Sequence, residues 1–275
     1  MGALGGEFGS LHRPARRLTV AGAEALDEIV AEEVAVALVY NGVSHAVMMA
    51  TPCDLEDFAR GFSLTEHIVE KASEIYDIEV EEMERASGGR GFEVRLDIAS
   101  QRMVSLQTRR RSMSGRTGCG LCGVDSLEAA LRPVPRSTGT GKVSRAAIQR
   151  AMAALPGQQK INRENGATHA AGWATPDGTL VTVREDVGRH NALDKLGGAL
   201  AKAGTATAGG FVVVTSRCSY EMVQKAAALG AVAIAAVSAP TSLAIETAEQ
   251  AGIALVAFVR ESRLTVYANP ERIEA

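Results

Sequence analysis

No run of about 18 apolar residues free of charge occurs in the chain, so the sequence offers no helical membrane span. An excess of one charge is also missing. Lysine and arginine number 29 against 32 aspartates and glutamates, a formal net charge of −3 with a pI of about 6.0. That balance excludes a bulk nucleic-acid binder and confines charge arguments to individual segments. Cysteine is scarce: Cys53, Cys119, Cys122 and Cys218 are the whole set. A chain of 275 residues, 46% of them hydrophobic, can bury a core without disulfides, and four thiols are few for a secreted scaffold. The opening MGALGGEFGS lacks the apolar centre of a signal peptide and reads as a vector-encoded leader, residues 1–10. A cytoplasmic location is therefore expected.

Paired metal ligands are missing too. A structural zinc site needs four ligands, usually two close pairs. Cys53 and Cys218 stand alone, and the histidines at 12, 45, 67, 169 and 190 are far apart. A zinc deaminase needs a proline before its first cysteine and an upstream H-x-E. Gly118 stands where the proline would be, and no histidine has a glutamate two places on. No structural metal is expected.

What is present is GRTGCGLCGVDS, residues 115–126, with Cys119 and Cys122 among Gly118, Gly120 and Gly123. Arg109, Arg110, Arg111 and Arg116 precede or flank it. A dithiol switch remains open, because C-x-x-C at a helix start lowers a thiol pKa. A thioredoxin-like pair, however, belongs between strand and helix of a βαβ unit. This pair follows a segment, 101–118, that reads as a mobile arginine-rich loop. Flanking glycines give it freedom. A thiolate on such a loop suits a nucleophile that must visit two places.

The first half predicts mixed strand and helix. Two β-rich runs in 33–51 flank Asn41-Gly42, a hairpin signal. A helix follows with Asp54 as cap and Leu55, Phe58, Phe62 and Leu64 as its stripe. Strands are expected at 75–80 and 91–98. The stretch 132–142 reads as a linker. In the second half, strands at 210–216, 231–238 and 253–259 alternate with helices at 218–230 and 241–252. Short connections of this kind imply parallel strands, hence an α/β fold with a largely parallel sheet. The expected division is an α+β domain over 17–115, the cysteine loop with its helix and linker over 116–140, and a C-terminal domain over 141–275.

Ligands of open parallel sheets bind at the carboxyl ends of the strands. Here those ends carry Ser216 and Arg217, then Thr241, then Phe258 to Arg263. Helix starts and Arg217, Arg260 and Arg263 together describe a phosphate site. Ordinary solvated loop ends have the same residue types, and spacing alone does not choose between them. A second constellation, VREDVGRHNALDKL (183–196), holds Arg184, Asp186, Asn191, Asp194 and Lys195 around one glycine. So dense a polar run favours a binding site over a solvated helix face. His190 alone fits the latter. His169, in GATHAAG (166–172), could donate to a ligand or to a backbone carbonyl.

GRTGCGLCGVDSLEAA (115–130), GATHAAGW (166–173), REDVGRHNALDKLGG (184–198), TSRCSYEMVQKAA (215–227), AVSAPTSLAIETAEQAG (236–252) and LVAFVRESRLTVY (255–267) together resemble the formate dehydrogenase accessory sulfurtransferases, the FdhD family. The resemblance implies a cytidine-deaminase-like C-terminal domain and a homodimer. It implies a persulfide relay, from a cysteine desulfurase to the molybdenum bis(molybdopterin guanine dinucleotide) cofactor that formate dehydrogenase needs. Cys119 matches the persulfide carrier and Cys122 the second loop cysteine. Phe258, Val259, Arg260, Glu261, Ser262 and Arg263 match the cofactor site, where the guanine portion would bind. Two alternatives remain from the residues themselves: a cofactor-binding chaperone without catalysis, and a dithiol oxidoreductase. Cys218 departs from the family pattern, which has a small residue such as alanine there.

Overall fold

The structure is a computed structural model that describes residues 9–84, 88–111 and 134–274, with the side chains of 107–111 outside the description. Strands β1 (Ser10–Thr19) and β2 (Gly22–Ala31) pair antiparallel as a two-stranded ribbon. Ser10, the last residue of the expected leader, opens β1. The next unit is a four-stranded sheet. Its strands are β3 (Val34–Tyr40), β4 (Val43–Ala50), β5 (Ile75–Glu84) and β6 (Arg90–Ile98), in the order β4-β3-β6-β5. Asn41 and Gly42 both take positive φ, 46° and 77°, and close the β3–β4 hairpin as their chemistry predicts.

Helix α1 (Leu55–Thr65) covers this sheet with Leu55, Phe58 and Phe62, packed on Val36, Leu38, Tyr40, Val94 and Leu96. Asp54 does not cap it. The residue is in the left-handed region at φ 51°, makes no side-chain cap bond, and turns its carboxylate to Arg184 at 3.5 Å. The expected loop at 101–118 begins instead as helix α2 (Ser100–Arg111). Residues 101–111 contain no glycine or proline, and Met103 and Leu106 bury against the N-terminal core. Arg102 anchors the helix start through Glu70 and Glu74.

The C-terminal unit starts with β7 (Val143–Ser144), α3 (Arg145–Gln158) and α4 (Lys160–Asn165). Ser144 caps α3 by accepting from the Ala147 N–H at 3.1 Å. A six-stranded sheet follows, in the order β13-β12-β11-β10-β8-β9. Its strands are β8 (His169–Ala174), β9 (Leu180–Asp186), β10 (Phe211–Val214), β11 (Ala233–Ala236), β12 (Ala254–Ala257) and β13 (Thr265–Ala268). A two-residue β14 (Ile273–Glu274) pairs with β7. Of its neighbouring pairs only β10–β11 and β11–β12 are parallel, so the sheet is mixed rather than largely parallel. The reason is connectivity. β8 and β9 form a hairpin, β12 returns to β13 through a turn, and each return is antiparallel.

Helices α5 (Arg189–Lys202), α6 (Tyr220–Ala228) and α7 (Ser242–Ala251) lie on one face of this sheet, and α3 on the other. Val212 and Val214 face the first layer, Phe211 and Val213 the second, as the two-residue period of a strand requires. Thr241 caps α7 by accepting from the Ala244 N–H, and Gly252, at φ 68°, ends it.

Candidate functional site

The carboxyl ends of β10, β11 and β12 meet along one edge. The loop after β10 and the loop after β11 run side by side: Cys218 N–H donates to the Ala239 carbonyl at 3.1 Å and Thr241 N–H to the Cys218 carbonyl at 3.1 Å. These bonds set the start of α6, where Ser219 precedes the first turn without a side-chain cap bond, beside the start of α7. Phe258 follows β12 with φ 52° and is 40% exposed. A bulky side chain in the left-handed region is strained. Val259 turns inward and is buried, which holds Phe258 outward.

The chain then folds back through the Arg260 N–H to the Arg263 carbonyl at 2.8 Å. The Gln149 side chain from α3 donates to the Arg260 and Glu261 carbonyls and pins the turn. Arg260 spends one guanidinium nitrogen on the Val237 and Val259 carbonyls. Glu261, Ser262 and Arg263 are exposed. Ser216 is buried, its hydroxyl donating to the Arg217 carbonyl, while Arg217 is exposed. Of the expected rim, then, Phe258, Arg217, Arg260, Glu261, Ser262 and Arg263 reach solvent, whereas Val259 and Ser216 are backbone-shaping residues.

His169 joins the same edge from the other side. β8 runs antiparallel to β10, with Ala171 opposite Val214, so His169 lies near the level of Ser216. The Ala170 N–H donates to the Thr215 hydroxyl at 2.9 Å and fixes that register. His169 is half-buried, and burial first, then Arg189, pushes its pKa down, with Asp186 opposing. Next to it, α5 begins at Gly188 with Arg189 and His190. His190 Nε2 lies 3.0 Å from Glu221 Oε2 and 3.4 Å from Ser219 Oγ. Burial is the largest single influence and opposes the Glu221 charge, but the His190 hydrogen bond together with the charges of His190, Lys225 and Arg189 outweighs it and holds that carboxyl below the usual range. Arg189 belongs to the polar run that the sequence marks, whereas Ser219 and Glu221 do not stand out in the sequence. Glu221 lies far along the chain from His190, and only the packing of α6 beside α5 joins them.

The dense run 184–195 is placed differently. Asp186 and Lys195 have no exposed side-chain surface and pair at 2.7 Å. Asp186 also accepts from the Thr51 N–H at 3.0 Å, and Lys195 donates to the Thr51 carbonyl at 2.9 Å. Asn191 donates to the Met49 carbonyl at 2.8 Å, and Arg184 reaches Asp57 with two nitrogens, at 2.7 and 3.0 Å. Asp194 accepts from Thr65 and from Lys225. Every one of these residues thus contacts the N-terminal unit or, for Asp194, both that unit and α6. Taking such charges out of water is tolerated because each is paired and hydrogen-bonded.

The thiols divide as well. Cys218 is fully buried among the α6 and α7 core residues, and burial alone pushes its thiol up to about 12. It behaves as a small hydrophobe. Cys53 is half-buried, 3.7 Å from the Lys195 ammonium. Its thiol is also raised, by burial first, with Lys195 opposing. Cys119 and Cys122 lie outside the described residues. Among the described residues, no three His, Cys, Asp or Glu side chains gather as metal ligands, and no helix is long and apolar enough to cross a membrane.

The sequence model of the FdhD/NarQ family matches residues 31–274. The chain belongs to that family. A protein named sulfur carrier protein FdhD from Cupriavidus necator is 57% identical over 247 residues, covering 89% of this chain and 83% of that one. A protein of the same name from Agrobacterium fabrum is 50% identical over 266 residues, 96% of each chain. In structure, the chain resembles a Desulfotalea psychrophila protein described as a formate dehydrogenase accessory protein. The TM-score is 0.74 at 25% identity, with 97% of this chain and all of that chain covered. The family match spans nearly the full chain, from residue 31 to residue 274.

Proposed function

We propose that this protein is a sulfurtransferase of formate dehydrogenase maturation. Cys119 takes sulfur from a cysteine desulfurase and passes it to the molybdenum bis(molybdopterin guanine dinucleotide) cofactor, which is substrate here. In the first step the Cys119 thiolate attacks the terminal sulfur of the desulfurase persulfide. The old S–S bond breaks, the desulfurase cysteine leaves as thiolate, and Cys119 holds the new persulfide. The observation that carries the reading is the convergence of two helix starts, three exposed arginines and an outward-held Phe258 on one sheet edge, in a chain that also bears the glycine-flanked pair. A large polyanionic substrate suits such an edge: N–H groups and guanidinium groups for phosphate, an aromatic face for the guanine.

In this reading the buried run from Arg184 to Lys195 acts on the substrate indirectly, by holding His169 and the α5 start in place. Compartment, homodimer and a cytidine-deaminase-type ancestry of the six-stranded sheet are parts of the same proposal, drawn from the family resemblance. Mass spectrometry after incubation with a desulfurase and cysteine tests it. One added sulfur on the 115–126 peptide is the expected result. A chaperone without transfer chemistry, or a dithiol oxidoreductase, would leave that peptide without the added mass.

Two outcomes follow from the site chemistry. Loss of a charge-assisted hydrogen bond costs about 1.5–3 kcal/mol, so Arg217→Ala should weaken GDP binding by at least about tenfold in calorimetry. Equal affinity would move the nucleotide away from this loop. The protein purified without added metal should also carry no stoichiometric zinc, since metal-bound thiolates would be poor sulfur acceptors. One zinc per dimer, lost on Cys119→Ser, would contradict the free-thiol mechanism.

A further inference from the structure

His169, Arg189 and His190 bring cationic and donor groups to the β8 end of the edge, and of the three the fold pairs only His190, through Glu221 and Ser219. Among the described residues, the His169 and Arg189 side chains make no hydrogen bond or ion pair, and the Arg189 Nε is sealed from solvent without a partner. A guanidinium nitrogen buried in that way is costly, and native structures rarely leave one unmatched. The neighbouring acids are already committed. Asp186 is taken by Lys195, by the Thr51 and Gly188 N–H groups and by Asn191. Glu221 is taken by His190, which it fixes through Nε2. The start of α5 adds to the unmet charge: Gly188 is its cap, and no side chain caps it.

The Phe258–Arg263 turn lies at the end of β12, three strands away from β8 in the sheet. At the usual strand spacing that separates the two places by about 14 Å, too far for one phosphate to touch both. We propose that His169, Arg189 and His190 form a second oxyanion subsite, distinct from the Phe258–Arg263 turn, which takes a phosphate or pyrophosphate group of the same substrate. The inference rests on the reading that this edge docks a nucleotide-bearing substrate. A substrate with two nucleotide arms has phosphate groups to fill both places at once.

The test uses the full chain with inorganic pyrophosphate as probe, read by the imidazole nitrogen resonances of His169 and His190. Saturable shifts of both are expected. Arg189→Met should weaken the pyrophosphate affinity by at least about tenfold, and Arg189→Lys by less, whereas Phe258→Ala should leave it unchanged. The groups facing these imidazoles, and therefore to be considered in any titration, are Asp186, Arg189 and Glu221. Absence of shifts in the wild-type chain would overturn the subsite without need of any variant. So would an affinity unchanged in a folded Arg189→Met protein. GDP calorimetry on the same sample separates this inference from the broader reading. Pyrophosphate shifts without GDP binding would keep the subsite and sink the nucleotide dock. GDP binding with silent histidines would do the reverse.

Discussion

Replacing Cys119 with alanine should abolish sulfur transfer and leave formate dehydrogenase immature, while GDP affinity stays at the wild-type value. The expected loss is complete because a carrier without its sulfur atom has no slower route. The other described thiols cannot take over. Cys218 is sealed in the core with its thiol pushed up to about 12, so the nucleophilic thiolate is absent at neutral pH. Cys53 is half-buried, its thiol also raised, and it sits against the buried Lys195. Cys122 is the one remaining thiol of the chain, which makes Cys122→Ala the companion measurement. If Cys119→Ala still supports full formate dehydrogenase activity in cells lacking the native protein, the carrier assignment is wrong. If GDP affinity falls with it, the loop helps to build the nucleotide site, and the division between carrier and dock must be redrawn.

Local chemistry was the most legible part of the sequence. Asn41-Gly42 needs positive φ at both positions and takes it. Thr241 and Gly252 bracket α7 because a hydroxyl satisfies an early N–H and glycine tolerates the left-handed exit. The apolar runs of β10, β11 and β12 announced strands covered on both faces. Three features were hidden, each for a physical reason. Helix α2 carries only a weak apolar stripe, Met103 and Leu106, in an arginine-rich sequence. The β1–β2 ribbon exposes both faces along most of its length, so no alternation marks it. The run from Arg184 to Lys195 looks like a solvent-facing site because charges usually are. Its partners Met49, Thr51, Asp57 and Thr65 lie on the other unit, and sequence spacing cannot bring them together.

The same junction supports the second large effect, and it reverses an ordinary rule. Alanine in place of a helical glycine normally stabilises by about 0.5–1 kcal/mol. Gly157, near the end of α3 and facing open space, should follow that rule in Gly157→Ala. Gly198 in α5 should not. A Cβ there would sit 2.6 Å from the Asp57 carbonyl carbon and 2.8 Å from the Asp57 Cα. Gly61 in α1 meets the mirror situation, 2.6 Å from the Asp194 carbonyl carbon and 2.7 Å from the Gly198 N. All of these are backbone atoms, so no rotamer change relieves the clash. The two helices cross backbone against backbone, and even one methyl group must force them apart. Opening the crossing would stretch the Arg184–Asp57 pair, the Thr65–Asp194 bond and the Lys195 and Asn191 bonds to the N-terminal backbone together. Lys195 and Asp186 would then stay buried with part of their partners gone, which is the costly case for buried charge. Gly198→Ala should therefore destabilise by more than about 4 kcal/mol, the range reserved for cavities, clashes and broken buried networks. Chemical denaturation of Gly198→Ala and Gly157→Ala side by side measures this. A Gly198→Ala midpoint at or above that of the wild type would mean that α1 and α5 do not cross at these glycines. The buried polar run would then need another explanation.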